Sequence, residues 1–336
     1  KVLAEMEREA VGSMGDDTPI AVMSRKCRSL YDYFRQQVAQ VTNPPIDPLR
    51  EAIVMSLQTQ IGREKNVFAP GPDLATHITL NSPVLSQKKL LQIISQDGAN
   101  RSHALIELNY PADVSWRDAI DDICARAEQA VRDGSLVLLL SDRAIAEDKL
   151  PVHALLATGA VHRHLVETGL RCQCNLIVET ATARDPHHFA CLIGNGATAV
   201  YPFMAYQCLR DMVRDGDVDA TRPQIGRSYR RGIRKGLLKI MSKMGISTIA
   251  SYRGAQLFEI VGLNDEVVER CFAGTVSRLQ GATFADLQAN QAVLAEEAWD
   301  ANWPIDVGGL LTHTHGGEYH MYNAHVVGTL QRAVKS

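Results

Sequence analysis

The feature of this sequence that most constrains its fold is the alternation of short apolar segments with longer amphipathic ones. Apolar runs such as Leu136–Ser141 are followed by ten or more residues with helical spacing. Parallel strands buried on both faces read as continuous apolar runs, and one strand–helix–strand unit takes about 30 residues. The pattern predicts an α/β protein of parallel βα units, as an open doubly wound sheet or a barrel-like sheet. The predicted strands are 77–80, 103–108, 136–141, 175–180 and 189–193, and the predicted helices are 29–41, 86–96, 115–132, 152–168 and 201–214.

The pattern changes after Gly216. Residues 222–243 contain eight Arg or Lys and no acidic residue, with apolar side chains on one helical face. Such a helix is typical of a solvated face or of a face docked on an acidic neighbour, and less so of a surface for nucleic acid or membrane. From there to residue 336 the sequence reads as helices and loops. We therefore expect a central α/β domain over 1–221 and a helical and loop connection over 222–336.

Composition excludes several classes of protein. Apolar residues make up 46% and charged residues 22%, as in a globular chain with a sizeable core. The net charge of −3 gives no overall attraction for nucleic acid, and no apolar run approaches the roughly 18–20 residues of a membrane span. Seven scattered cysteines favour a reducing, cytoplasmic setting. We expect no nucleic-acid and no membrane partner, and a chain that opens at Lys1 is expected to be a piece of a longer protein.

One candidate site is the glycine-rich turn at 194–199, GNGATA. Gly194 and Gly196 fit the G-x-G-x-x-A pattern in which a phosphate approaches the backbone between a strand and a helix. Pro202 delays the next helix, however, and no acidic residue ends a strand about 20 positions later, where a ribose would require one. A tight turn is the favoured interpretation, and a cofactor-binding turn remains the alternative.

A second candidate is the segment HTHGGEYH at 313–320. His313, His315, Glu318 and His320 lie around a Gly-Gly loop and could in principle gather around a metal ion. Polar loop and interface contacts are the favoured interpretation, so no metal site is predicted.

Two further pairs do not fit a site. His162 and His164 are two residues apart and would diverge by about 200° on a helix. Cys172 and Cys174 lack the spacing of a redox or iron–sulfur motif, so a structural role is favoured.

Seven long segments carry a family resemblance. They are GSMGDDTPIAVMS (12–24), YDYFRQQVAQVTNPPIDPLRE (31–51), LLLSDR (138–143), AVHRHLVETGLR (160–171), HHFACLIGNGATAVYP (187–202), KGLLKIMSKMGISTIASYRGAQLFEIVGL (235–263) and GGEYHMYNAHVVGTLQRAV (316–334). Together they cover essentially the whole chain, and they resemble the large (alpha) subunit of bacterial glutamate synthase, in its central domain and the lead-in to its FMN-binding domain.

The resemblance implies a fold and a set of partners. In that family the central domain is a degenerate, barrel-like relative of the FMN barrel, and it lies between a glutaminase domain and the FMN domain of the same polypeptide. The intact large subunit carries FMN and a 3Fe-4S cluster, and its partner small subunit carries FAD and a 4Fe-4S cluster. None of these cofactors and no catalytic residue is expected within this chain, whose implied role is to join the two active centres.

The resemblance also implies a wall for an internal ammonia tunnel. Met14 and the rigid turn of Thr42, Asn43 and Pro44 are the candidate wall residues. Two alternatives remain open at this point: an FMN-binding oxidoreductase barrel in its own right, and a metal-dependent hydrolase that uses the HTHGGEYH loop.

Overall fold

A computed structural model describes residues 1–7, 16–39, 53–64, 68–69, 71, 77–95, 102–304, 308–311 and 313–335. Within these ranges the helices of four or more residues and the strands follow each other along the chain as α1 (Val2–Met6), β1 (Phe34–Gln36), β2 (Thr59–Ile61), β3 (Ile78–Leu80), α2 (Gln87–Ile94), β4 (His103–Glu107), β5 (Asn109–Pro111), α3 (Trp116–Arg132), β6 (Val137–Ser141), β7 (Lys149–Pro151), α4 (Ala154–Glu167), β8 (Asn175–Glu179), α5 (Pro186–Gly194), β9 (Ala199–Tyr201), α6 (Phe203–Arg214), α7 (Arg222–Met244), α8 (Ile249–Tyr252), β10 (Phe258–Leu263), α9 (Asp265–Cys271), β11 (Val276–Ala282), α10 (Phe284–Trp299) and α11 (Ala324–Lys335).

The central element is a parallel sheet with strand order β4-β6-β8-β9. Every residue of β6 and β8 is buried. Leu138 and Leu140 pack into one hydrophobic cluster with α3 and α4, while Val137 and Leu139 pack into a second cluster with α2. Because successive side chains of a strand point to opposite faces, this division shows that apolar groups cover the sheet on both faces. The predicted α/β class with parallel βα units is confirmed.

The remaining strands form smaller sheets. In the first, β10 lies between β1, to which it is antiparallel, and β11, to which it is parallel. Pairs β2-β3 and β5-β7 are antiparallel. Residues on both sides of position 221 thus share a sheet, and two strands, β10 and β11, lie in the region predicted to hold helices and loops. The division at residue 221 itself stays a prediction.

Helix ends follow local sequence signals. Ser115 accepts a hydrogen bond from the Asp118 amide at the start of α3, and Thr221 forms a reciprocal capping box with Gln224 at the start of α7. Helix α7 ends at Gly245, whose φ of 71° is a conformation that glycine adopts without strain. No helix in the part of the chain that the structure describes is long and apolar enough to cross a membrane.

Two predicted elements are wrong. Residues 189–193, predicted as a strand, lie inside α5, which Asp185 caps and Pro186 begins. Residues 30–33 form a 3-10 helix and 34–36 form β1, where a helix over 29–41 was predicted. The predicted helices at 86–96, 115–132, 152–168 and 201–214 are present, and their described ends lie within two residues of the predicted ones.

Candidate functional site

Polar side chains gather at the C-terminal edge of the central sheet. Ser141 and Glu179 are the last residues of β6 and β8, and Asp142 and Thr180 come next in the chain. The Ser141 hydroxyl donates to Glu179 Oε2 at 2.7 Å, and the Thr180 hydroxyl donates to Asp142 Oδ2. Parallel strands bring their carboxyl ends to one edge, which is where α/β proteins usually bind ligands. This edge is therefore the candidate site.

Asp142 is a buried acid. Its Oδ1 accepts the Ala181 amide at 2.9 Å, and no described cation pairs with it, because the nearby Arg143 guanidinium binds Glu179 Oε1 at 2.8 Å. Burial raises the pKa of Asp142 to about 6, and the adjacent Glu179 carboxylate acts in the same direction. The protonated form of this carboxyl group is therefore more accessible than that of an aspartate in water.

Two histidines flank Tyr31 beside this acid. The His188 ring stacks on the Tyr31 ring at 4.2 Å, and the His153 ring meets it edge-on at 4.8 Å. Burial lowers the pKa of both histidines to about 3, so both are neutral near pH 7. Nδ1 of His153 accepts the Leu155 amide, which assigns its proton to Nε2. That Nε2 is buried and has no partner among the described residues.

A cavity of about 320 Å³ opens beside these groups. Asp142, His153 and Thr182 are among the polar residues that line it, and Ile145 and Trp299 are among the apolar ones. A buried carboxyl and an unpaired imidazole N–H could orient a small molecule that presents a donor and an acceptor. The described residues of the site place no activated Ser or Cys nucleophile there, since burial raises the pKa of the nearby Cys191 thiol.

The glycine turn occupies a different setting. It connects α5 to β9, so it runs from a helix to a strand and lacks the strand-to-helix geometry of a phosphate loop. A Cβ at Gly194 would lie 2.5 Å from the Phe258 ring, and one at Gly196, whose φ is 114°, would lie 2.4 Å from the His162 ring. Neighbouring side chains fill the space that a flavin phosphate would need, so this turn does not fit FMN.

The histidine loop is engaged in contacts with the N-terminal segment. Glu318 accepts hydrogen bonds from Ser24 at 2.6 Å and from Arg28 at 3.0 Å. His320 lies between the Asp17 carboxylate and the Gly309 carbonyl, and these two acceptors raise its pKa.

The other two metal candidates, His313 and His315, are exposed. In the described ranges, no three His, Cys, Asp or Glu side chains form a group that could hold a metal ion. The Glu318 carboxylate and the buried His320 ring are already hydrogen-bonded to protein groups, so this arrangement does not fit a metal centre.

The histidine pair 162/164 and the cysteine pair 172/174 do not form a joint site. His162 Nδ1 accepts from Arg171 at 2.9 Å, whereas His164 contacts Glu128 at 2.6 Å on the other side of α4. Cys172 is exposed and Cys174 is buried, and both are free thiols.

The predicted tunnel residues Met14, Thr42, Asn43 and Pro44 lie outside the described residues.

Sequence reasoning missed the acid and the histidines at the sheet edge. A signal for Asp142 and Glu179 was present, because each lies at the end of a fully buried, mainly apolar strand that was predicted correctly. His153 precedes a helix, and its proximity to Tyr31 depends on a contact across more than a hundred residues.

A parallel sheet covered on both faces, with polar groups at its C-terminal edge, defines the chain as an α/β domain. The family described as "Glutamate synthase central domain" matches residues 1–264. The chain belongs to this family, as the sequence motifs predicted.

Glutamate synthases of several organisms match almost the whole chain. Ferredoxin-dependent glutamate synthase of Pyropia yezoensis is 39% identical over 353 residues, which cover 99% of this chain and 23% of that protein. The large chain of NADPH glutamate synthase from Bacillus subtilis is 37% identical over 330 residues, covering 98% of this chain and 22% of that protein. The chain thus spans less than a quarter of the length of these relatives.

Among solved structures, a flavocytochrome b2 mutant aligns with a TM-score of 0.40 and 11% identity, over 80% of this chain and 89% of that chain. This similarity is too low to assign a shared site.

Proposed function

We propose that this chain is the connecting domain of a longer glutamate synthase that converts glutamine, 2-oxoglutarate and a reductant to two molecules of glutamate. The family match over residues 1–264 carries the proposal, because the named relatives extend far beyond the region that this chain covers. In this proposal the glutaminase and FMN sites belong to other domains of the same polypeptide. A small subunit would pass electrons to the FMN domain, and the compartment would be the cytoplasm.

The domain itself is proposed to carry no catalytic centre. Three observations support this: the acids at the sheet edge are paired with neighbouring hydroxyls and Arg143, the glycine turn is filled by Phe258 and His162, and Glu318 is bound to Arg28. Their polar atoms serve the fold, which is the pattern expected of a structural domain.

We also propose that Met14 and the turn of Thr42, Asn43 and Pro44 line an ammonia conduit. Ammonia released into bulk water would be protonated and diluted, so transfer between distant centres requires an enclosed path. The segment next to Met14 is held firmly, since the Asp17 carbonyl accepts the Met321 amide at 3.0 Å and its carboxylate accepts the Tyr322 amide at 3.1 Å.

A chimera tests the conduit. The Bacillus subtilis large chain would carry this chain in place of its own matching region, and glutamine hydrolysis, glutamate formation and free ammonia would be measured together. Met14→Lys is expected to lower glutamate formation from glutamine and to release free ammonia while glutamine hydrolysis continues. Met23→Lys is the matched control, because Met23 is 72% exposed on the same segment. Coupled turnover in the Met14 variant would contradict the conduit.

Native mass spectrometry of the purified chain tests the connecting role separately. Equal native and denatured masses are expected. A retained mass of FMN would instead support a flavin-binding barrel, and loss of that mass in Gly196→Asp would locate it at the turn. A retained zinc ion that disappears when His315 and His320 are replaced would support the metal-dependent hydrolase.

A further inference from the structure

A pocket lined by arginines lies between α2, α6 and α7. Its volume is about 280 Å³, and it is distinct from the cavity beside Asp142. Four arginines contribute to its wall, and no Asp or Glu among the described residues does. The arginines are Arg210, Arg222, Arg227 and Arg230. The chain as a whole has net charge −3, so this concentration of positive charge is local.

These arginines differ from their neighbours in having no acidic partner among the described residues. Arg214, one turn after Arg210, binds Asp211 and Asp215. Arg231, next to Arg230, binds Glu7 at 2.5 Å. Asp211, Asp215 and Glu7 are thus paired with arginines that do not line the pocket, and no described acid forms an ion pair with any of the four arginines that do.

Two helix N-termini reach the same pocket. Ser86 and Gln87 stand at the start of α2, and Arg222 and Pro223 at the start of α7. The aligned peptide dipoles favour an anion at such positions. At α7 the contribution is mainly that of the dipole, because Pro223 has no N–H and the Thr221 side chain binds the Gln224 amide. The guanidinium groups and both helix ends therefore act with the same sign on whatever enters.

The pocket also has an aromatic wall. Tyr201 and Tyr206 are stacked, with ring centroids 5.8 Å apart and ring planes inclined by 27°. The Arg230 guanidinium lies over the Tyr206 ring at 6.0 Å, and its NH1 donates to the Tyr206 hydroxyl at 3.4 Å. These contacts hold Arg230 at the pocket wall, so its positive charge is preorganised.

We propose that this pocket binds the phosphate group of a small organic phosphate. Planar guanidinium groups pair with phosphate oxygens in a bidentate way, which suits an anion with several oxygens. The concave shape and the tyrosine wall favour a small molecule over an extended nucleic acid or a flat membrane surface. This site goes beyond the proposed connecting function and does not depend on it.

Isothermal titration of the 336-residue chain with pyrophosphate, adenosine monophosphate and adenosine tests the site. Pyrophosphate and the monophosphate are expected to bind with a Kd below about 1 mM, more weakly at high salt, and adenosine is expected not to bind. Arg222→Gln and Arg227→Gln should each weaken binding about tenfold, since both side chains are exposed and make no described hydrogen bond or ion pair.

Arg214→Gln is the matched control, because it removes the same charge from a side chain that is already paired. Thermal unfolding of each variant separates loss of the site from loss of the fold. The proposal is overturned if the wild-type chain binds neither phosphate probe, if adenosine binds as well as its monophosphate, or if the control weakens binding equally. Tight binding of a single-stranded oligonucleotide without pyrophosphate binding would also overturn it.

Discussion

Replacing His162 by asparagine is expected to flatten the acid side of the pH–stability profile. The His162 ring lies on α4 against Gly196, and its Nδ1 accepts a hydrogen bond from Arg171 Nε. Arg171 also donates to the carbonyl oxygens of Cys174 and Gly196, so the arginine is fixed in place. Burial, and then the charge of Arg171, lower the pKa of His162 to about 4. Protonation of this ring therefore opposes the folded state.

The magnitude follows from the difference between the two states. The unfolded chain takes up a proton on His162 near pH 6.5, and the folded chain does so only near pH 4. The contribution to stability is complete above pH 6.5 and is lost as the pH falls toward 4, because the unfolded state binds more protons in that window. The difference between these two pKa values corresponds to at most about 3.4 kcal/mol, less what solvent screening removes at a partly exposed ring.

Urea unfolding followed by Trp fluorescence between pH 4.5 and 8 measures this contribution. Asparagine retains an acceptor near the position of Nδ1, so the Arg171 contact is preserved and the titration is removed. The free energy of unfolding of His162→Asn should approach that of wild type as the pH falls. His315→Gln is the control, because His315 is exposed in the folded chain. Parallel wild-type and His162→Asn profiles over the whole range would refute the reasoning.

Two other predictions each compare a pair of residues of the same type in different surroundings. Gly226→Ala should stabilise the protein by up to about 1 kcal/mol in urea unfolding, because a Cβ there meets atoms only at 3.8 Å or more and alanine favours a helix. Gly232→Ala on the same helix should destabilise it, because its Cβ would lie 2.7 Å from Leu3; a stabilised Gly232 variant would contradict that packing. A thiol reagent at pH 8 should modify exposed Cys172 quickly and Cys174 slowly, because Cys174 is buried and burial raises its pKa to about 11. Mass spectrometry of the labelled peptides measures the two rates, and faster labelling of Cys174 would contradict the prediction.

The sequence pattern predicted the central sheet because its strands carry their own signal. Strands β6 and β8 are buried along their whole length and apolar in their interior, and such runs fit a sheet covered on both faces. The same signal failed at 189–193, where an apolar run of five residues belongs to a buried helix. Asp185 and Pro186 gave the helix-start signal there, but periodicity alone cannot separate a short buried helix from a strand. Strand β1 was missed because its partner, β10, lies more than two hundred residues away.

The candidate site depends still more on tertiary contacts, and the histidines show why. A histidine-rich sequence suggests metal binding or proton transfer, because an exposed imidazole titrates near neutral pH. Burial instead keeps His153 and His188 neutral around Tyr31, whereas the Gly309 carbonyl and the Asp17 carboxylate favour the protonated form of His320. These differences come from neighbours that are distant in sequence, so residue type and spacing could not have predicted them. The imidazole that remains open to a ligand is therefore identified by its missing partner, and in the described chain Nε2 of His153 meets that condition.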